Sequence, residues 1–201
     1  MISQPRRLGR RCSAAVDAYI GIGANLGRPQ RQIEQAFVAL RRLPRTRLTA
    51  ISSLYRTTPV GPQDQPDYIN AAAGLRTRLT PTELLGALQS IEQRLGRVRD
   101  GRRWGPRMLD LDLLLYGDLC LDTPALRLPH PWMHRRGFVL VPLADIAPAG
   151  LLVPGRGRLT ELLSAVGRGG IQRVERPCPD GSPVDFPAGA MIPGQQGLAA
   201  G

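Results

Sequence analysis

The residue pattern predicts an α+β fold: a ferredoxin-like βαββαβ core, with an antiparallel sheet and helices packed on it, plus C-terminal additions. Three observations carry that expectation. Short apolar strands open and close the run, at residues 18–23 and 109–116. Two stretches, 33–40 and 84–95, repeat apolar residues at helical spacing. Between those helices lie two strand-like segments rather than one, which is what makes the sheet antiparallel.

Residues 1–16 carry four arginines and no acid, so they read as a disordered basic arm. The folded domain is expected over residues 17–167. Ala18-Tyr19-Ile20-Gly21-Ile22-Gly23 is the first strand, and Ala24-Asn25-Leu26-Gly27 leads to Pro29 at the first helical position. Ile33, Ala36, Phe37 and Leu40 form the apolar face of that helix. Arg47 to Arg56 mixes Leu48, Ile51, Leu54 and Tyr55 with Thr and Ser, better strand than helix. Tyr68 to Leu79 is the next strand. The loop between them, from Thr57 to Asp67, is too long for a tight hairpin turn, and loops of that length commonly carry function.

Thr80-Pro81-Thr82-Glu83 is a capping box with proline at the first helical position. Leu84, Leu88, Ile91 and Leu95 give the helix its apolar face, and Gly96 ends it. A basic loop runs to Met108, followed by a strand from Leu109 to Tyr116. On that strand Asp110 and Asp112 point one way, while Leu109, Leu111, Leu113 and Leu115 point the other way into a core. Beyond it, Leu128-Pro129-His130-Pro131-Trp132 is a rigid loop, Gly137 to Asp145 a short third helix, and Leu159 to Val166 a weak apolar turn or two. Residues 168–201 read as a Pro/Gly-rich disordered tail. No internal repeat and no second domain are evident.

The formal net charge of +11 points to an anionic partner, and all 27 basic residues are arginine. Without lysine there is no P-loop, no Schiff base and no protein-kinase lysine. Phosphate, if bound, must be bound by arginine, whose planar fork suits it. Cys12, Cys120 and Cys178 are odd in number and form no CxxC pattern, which suggests free thiols in a reducing compartment. No stretch is apolar enough for a membrane span, so the expected location is the cytoplasm.

The chemistry concentrates around Asp110 and Asp112. Two carboxylates side by side favour a cation, and Mg²⁺ is typically held by one or two carboxylates plus substrate phosphates. Just upstream, Arg97, Arg99, Arg102, Arg103 and Arg107 are interrupted by glycines and a proline, a loop able to close over a triphosphate. Gln89 and Glu92 lie three apart, off the apolar face of the second helix; they are either simply exposed or turned toward the nucleotide. Trp104 is a lid over a core edge or a stacking plate for a planar ligand. Tyr68, Asn70 and Ala72 share one strand face, where Asn70 can pair with a heterocycle's edge. His130, between two prolines, suits a positioned phosphate contact better than a triad, and neither His130 nor His134 fits a zinc pattern.

These residues fall into longer motifs: Gly23-Ala24-Asn25-Leu26-Gly27, Tyr55-Arg56-Thr57, Gly61-Pro62-Gln63-Asp64-Gln65-Pro66-Asp67-Tyr68-Ile69-Asn70, Arg103 to Asp112, and Pro129-His130-Pro131 with Arg136-Gly137-Phe138. In that order, from about Ala18 to Pro148, the chain resembles the 6-hydroxymethyl-7,8-dihydropterin pyrophosphokinases of folate synthesis. The resemblance implies transfer of pyrophosphate from ATP to the pterin's hydroxymethyl oxygen, releasing AMP. It implies that Asp110 and Asp112 hold two Mg²⁺ ions and that Arg97 and Arg107 neutralise charge as the bond to the α-phosphate breaks. It implies a pterin site at Thr57, Thr58, Val60, Tyr68, Asn70, Trp104 and Phe138, with Tyr68 and Phe138 as the sandwich. Gln89, Glu92, Arg99, His130 and Arg136 would lie near the nucleotide.

The partners so implied are ATP and hydroxymethyldihydropterin; separately, no nucleic-acid partner, no membrane and a monomeric chain are expected. Thr58 and Val60 stand where members often carry proline and leucine, and Asp100 puts an acid in the arginine loop where some carry a base. Neither the basic arm nor the segment after about Val166 has a counterpart in the family pattern. Two rival classes are an RNA-binding ferredoxin-like sheet, for which no RNP-like aromatics appear, and an Mg-dependent nucleotidyltransferase, which would release pyrophosphate instead of AMP.

Overall fold

The alternation of β1 (Val16–Ala24) sets the layout. Ala18, Ile20, Ile22 and Ala24 are buried in one core cluster, while Tyr19 packs against a second cluster on the other face. The computed structural model describes residues 14–59, 64–96 and 107–176. Val60, Arg97, Arg99 and Trp104 lie outside them, as do residues 1–13 and 177–201.

β1 pairs antiparallel with β4 (Tyr68–Thr77) on one side and with β5 (Asp110–Tyr116) on the other. β2 (Thr46–Ile51) and β3 (Leu54–Thr57) both pair with β4. With β2 and β3 taken as the two parts of one broken strand along β4, the core has the expected βαββαβ order. α1 (Pro29–Arg41) buries Ile33, Ala36, Phe37 and Leu40 against the sheet. α2 (Pro81–Arg94) buries Leu84, Leu88 and Ile91. Its capping box is present: Glu83 N–H donates to Thr80 Oγ1 at 3.3 Å and Thr80 N–H to Glu83 Oε2 at 2.7 Å, an arrangement worth about 1 kcal/mol.

Four readings of the sequence need correction. The strand expected over Arg47 to Arg56 is two strands. Ser52 interrupts it by taking the Ala72 N–H on its side-chain oxygen at 2.8 Å while its own N–H donates to Ala72 O at 2.9 Å. Leu115 is buried, but not with Leu111 and Leu113. The register slips at Tyr19/Ile20, leaving Leu114 as an extra residue opposite β1, so both Leu114 and Leu115 join the second cluster.

The tail expected from residue 168 begins instead with β10 (Ile171–Val174), which pairs antiparallel with β3 and extends the sheet. Beyond it Arg176 packs over the Phe37 ring at 5.2 Å and donates to Ser52 O. Finally, Glu92 is not off the core: it is 2 % exposed, beneath β5.

After the short hairpin β6–β7 (Leu121–Asp122, Arg127–Leu128), a 3-10 turn at Met133–Arg135 leads into α3 (Gly137–Ile146). A second hairpin, β8–β9 (Leu152–Val153, Gly157–Arg158), precedes α4 (Leu159–Val166). α3 and α4 bury Val139, Leu140, Leu143 and Leu159 with Leu114 and Leu115, so the sheet is covered on both faces. Pro142 sits inside α3, a helix-interior position that costs about 3 kcal/mol in isolation and that burial in this layer must offset. Among the described residues no helix is long and apolar enough to cross a membrane.

Candidate active site

On the face of β1 away from α1, Gly21 and Gly23 present no side chains. They pair with Asp112 and Asp110 of β5 on one side and with Ala72 and Asn70 of β4 on the other. A Cβ on Gly23 would sit 3.4 Å from Asn70 Oδ1, and one on Gly21 3.2 Å from Leu114 Cδ2. The result is a furrow along β1, the floor of a cavity of about 340 Å³.

β5 supplies one wall. Asp110 and Asp112 are both half-buried and both line the cavity, because their partners in alternation, Leu111 and Leu113, are buried in the core. Arg107 Nη1 donates to Asp110 Oδ2 at 2.7 Å. Arg107 is itself held by Asn25: its N–H donates to Asn25 Oδ1 at 2.7 Å, and Asn25 N–H donates to Arg107 O at 3.0 Å. The Asn25 amide also donates to Gln65 Oε1 and Pro66 O. One buried side chain thus ties the β1–α1 turn, the 57–68 loop and the approach to β5.

The opposite wall comes from β3 and β4. Asn70 is buried, and its Nδ2 donates to Thr57 Oγ1 at 2.8 Å, which fixes its amide orientation. Tyr68 donates to Gln65 Oε1 at 3.3 Å; burial raises its phenol pKa, Arg107 pulls it down and Asp110 adds to the rise. Thr58 completes this side, and Phe138, from the first turn of α3, lines the cavity with them. The Arg136 guanidinium lies over the Phe138 ring, 5.7 Å from its centroid.

His130 sits between these walls. Its N–H donates to Leu114 O at 2.9 Å, and its Nδ1 accepts from Trp132 N–H at 3.3 Å. An accepting Nδ1 puts the proton of the neutral ring on Nε2. Burial, then Arg136, push His130 down to about 4, with Asp110 opposing. His130 is therefore a neutral donor at physiological pH, not an imidazolium. Burial also lowers the pKa of Arg136, against the pull of Asp112 and Asp110.

The cavity brings together Thr57, Thr58, Tyr68, Asn70, Arg107, Asp110, Asp112, His130, Arg136 and Phe138. Gln89 and Glu92 do not line it; the buried Glu92 carboxylate accepts Leu111 N–H at 2.7 Å, from beneath the strand that carries the two aspartates. Trp132 and Val139 line it without having been singled out, as do the β1 glycines. A tryptophan next to two prolines and a histidine was the available signal for the first. For the glycines the signal was their alternation with Ile20 and Ile22.

Among the described residues no group of three or more His, Cys, Asp and Glu converges. Asp110 and Asp112 nevertheless offer hard oxygen donors on one face, beside a floor without side chains. That set fits a divalent cation completed by ligand phosphates and water.

The family model described as 7,8-dihydro-6-hydroxymethylpterin-pyrophosphokinase (HPPK) matches residues 19–148. The 2-amino-4-hydroxy-6-hydroxymethyldihydropteridine pyrophosphokinase of Pseudomonas aeruginosa is 53% identical over 156 residues, covering 78% of this chain and 95% of its own. That of Haemophilus influenzae is 49% identical over 148 residues, covering 74% and 91%. Among solved structures, an HPPK-DHPS in complex with substrates superposes with a TM-score of 0.63 at 12% identity, over 81% of this chain and 47% of that one. A Plasmodium falciparum HPPK-DHPS with pterin and p-hydrobenzoate gives 0.62 at 14%, over 81% and 48%. This chain spans about half the length of those two solved chains, and at such identity the likeness concerns the fold alone.

Proposed function

This chain belongs to the 7,8-dihydro-6-hydroxymethylpterin-pyrophosphokinase family, and from that membership we propose how its residues divide the work. The reaction transfers pyrophosphate from ATP to 6-hydroxymethyl-7,8-dihydropterin, giving AMP and the pterin diphosphate, a step of folate biosynthesis. The observation that carries the assignment is the pairing of Asp110 and Asp112 with Arg107 on one wall, opposite Tyr68, Asn70 and Phe138.

The pterin lies between Tyr68 and Phe138, with Thr57, Thr58, Val60 and Trp104 completing its pocket. Asn70, its amide oriented by Thr57, pairs donor and acceptor with the heterocycle's edge. This positions the hydroxymethyl oxygen for in-line attack on the β-phosphorus: the new O–P bond forms as the bond from the β-phosphorus to the α-phosphate oxygen breaks, the hydroxyl proton passes to water, and AMP leaves. Two Mg²⁺ ions held by Asp110 and Asp112 would neutralise phosphate charge when bound.

Arg107 and Arg97 compensate the charge that develops on the α-phosphate as AMP departs. Arg107 is held beside the metal-binding wall by Asp110, its partner at 2.7 Å. His130 donates from Nε2 to a phosphate oxygen, a neutral contact that needs no proton transfer. Arg136, Arg99 and Gln89 serve the nucleotide side, while Glu92 supports β5 from beneath and does not touch the nucleotide. No covalent nucleophile is required, because positioning and electrostatics supply most of the acceleration in phosphoryl transfer.

A small-molecule substrate pair, rather than RNA, is supported by helices covering both faces of the sheet. The same reading takes the enzyme as a cytoplasmic monomer. The decisive experiment incubates the protein with Mg-ATP and hydroxymethyldihydropterin and follows AMP by chromatography. Pterin-dependent AMP is expected; its absence at neutral pH, or release of free pyrophosphate in its place, overturns the proposal. Chelation by EDTA should stop the reaction and added Mg²⁺ restore it.

A further inference from the structure

The two plates of the proposed pterin slot come from distant parts of the chain, Tyr68 from β4 and Phe138 from α3. Outside the cavity, a polar cluster joins the elements that carry its two walls. The Tyr55 hydroxyl lies 2.9 and 2.8 Å from Oδ1 and Oδ2 of Asp145, and Ser53 N–H donates to Asp145 Oδ2 at 3.1 Å. Neither Tyr55 nor Asp145 lines the cavity. Tyr55 is 7% exposed, so its hydroxyl has little water to turn to.

The placement along each element is what gives this cluster reach. On β3, Tyr55 and Thr57 are two residues apart and share a face. Tyr55 is also the register partner of Asn70, whose amide donates to Thr57. On α3, Phe138 and Asp145 are seven apart, about two turns and therefore on the same side, roughly 10 Å along the axis. Between them Pro142 has no N–H to give the Phe138 carbonyl, so the helix's own bonding holds its first turn less firmly. Burial, with the Asp145 hydrogen bond next, pushes the Tyr55 phenol up to about 12, so it remains a donor throughout the working range.

We propose that Asp145 is a positioning residue for the pterin slot: by gripping Tyr55 and Ser53 it fixes α3 against β3 and sets the separation of Phe138 from the Tyr68–Asn70 wall. The proposal rests on the assignment of that slot to the pterin. A merely structural hydrogen bond would lower stability and affect both substrates alike. A positioning contact acts on the pterin.

The test uses the full chain with Asp145→Ala, Tyr55→Phe, the double variant and Asp145→Asn, with KM for each substrate, kcat and thermal midpoint measured for all. Tyr55→Phe should raise the pterin KM roughly three- to tenfold, the worth of one lost hydrogen bond, and Asp145→Ala, which also loses Ser53 N–H, at least as much, with the ATP KM little changed. The double variant should be no worse than Asp145→Ala alone, because the Tyr55 contact is among those that Asp145→Ala already removes. Asp145→Asn, which keeps an acceptor oxygen, should recover most of the loss even if Asp145→Ala folds poorly. An unchanged pterin KM in Asp145→Ala and Tyr55→Phe, or equal rises in both substrates' KM, overturns the proposal. Phe138→Ala separates the two levels: if it leaves the pterin KM unchanged, the slot assignment itself has failed.

Discussion

Arg107 and Asp110 hold each other at 2.7 Å across one wall of the cavity, with side chains 31% and 25% exposed. In the proposed reaction the same two groups serve phosphate and magnesium, so the ion pair ties the two roles together. An i,i+3 pair this open to water contributes less than about 1 kcal/mol to folding. Asp110→Asn and Asp112→Asn should therefore lower turnover at least about 100-fold, while the thermal midpoint moves by less than roughly 4 °C. AMP release and a melting curve on the same preparation decide it. Retained activity in either variant contradicts the metal assignment.

Asn25 carries more of the fold than its size suggests. It is 2% exposed and joins Arg107, Gln65 and Pro66 through one amide. Asn25→Ala strips partners from groups that are partly buried, at a cost of about 2 kcal/mol, or roughly 4–8 °C in midpoint for a domain of this size. Asn25→Asp keeps the acceptor for Arg107 N–H but loses both donated bonds. Activity at a temperature where all variants are folded should fall in both, because the loop carrying Gln65 and the approach to Asp110 lose their common tie.

The buried, neutral His130 makes stability depend on pH in a defined window. Its folded pKa, about 4, lies below the unfolded value of 6.5. Above 6.5 the ring is neutral in both states and costs nothing. As pH falls from 6.5 toward 4 the unfolded chain takes a proton that the folded chain refuses, so stability drops, by about 3 kcal/mol in all. Burial lowers His134 in the same direction, so the contrast must be made within a pair of proteins. Urea unfolding at pH 7.5 and 4.5 should show a smaller pH effect in His130→Gln than in the parent. Equal effects would place His130 in a more open setting than the structure shows.

How much of this could be read from residues alone varies with the range of the interaction. Helix faces, the Thr80–Glu83 capping box and the shared face of Asp110 and Asp112 are local consequences of period and side-chain chemistry, and they are legible. Leu115 is not, because its side is reversed by a slip opposite Tyr19, which only the paired strands define. The division of the 47–56 segment depends on Ser52 capturing the Ala72 N–H twenty residues away. β10 is invisible for the same reason: Ile171 to Val174 is an edge strand whose partner is β3. Within the site, motif order placed Tyr68, Asn70 and Phe138, whereas the furrow of Gly21 and Gly23 exists only once β4 and β5 flank it.

Glu92 shows how a residue can matter to the aspartates without sharing their cavity. Its carboxylate accepts the Leu111 N–H at 2.7 Å, and Leu111 is the residue between Asp110 and Asp112. Apolar periodicity leaves such a residue off the helix face, because a buried carboxylate contributes nothing to the apolar count. Its removal would orphan a buried backbone donor at the centre of the carboxylate pair, a loss of about 1–3 kcal/mol. Glu92→Gln retains an acceptor oxygen of the same reach. It should keep the parent's melting midpoint within roughly 3 °C, whereas Glu92→Ala should lose stability and, at a temperature where it is still folded, turnover as well. Magnesium titrations of the two variants would separate the causes: a displaced aspartate pair raises the Mg²⁺ requirement of Glu92→Ala and leaves that of Glu92→Gln unchanged. If both variants need the same Mg²⁺ as the parent, Glu92 supports the fold of β5 but not the aim of its carboxylates.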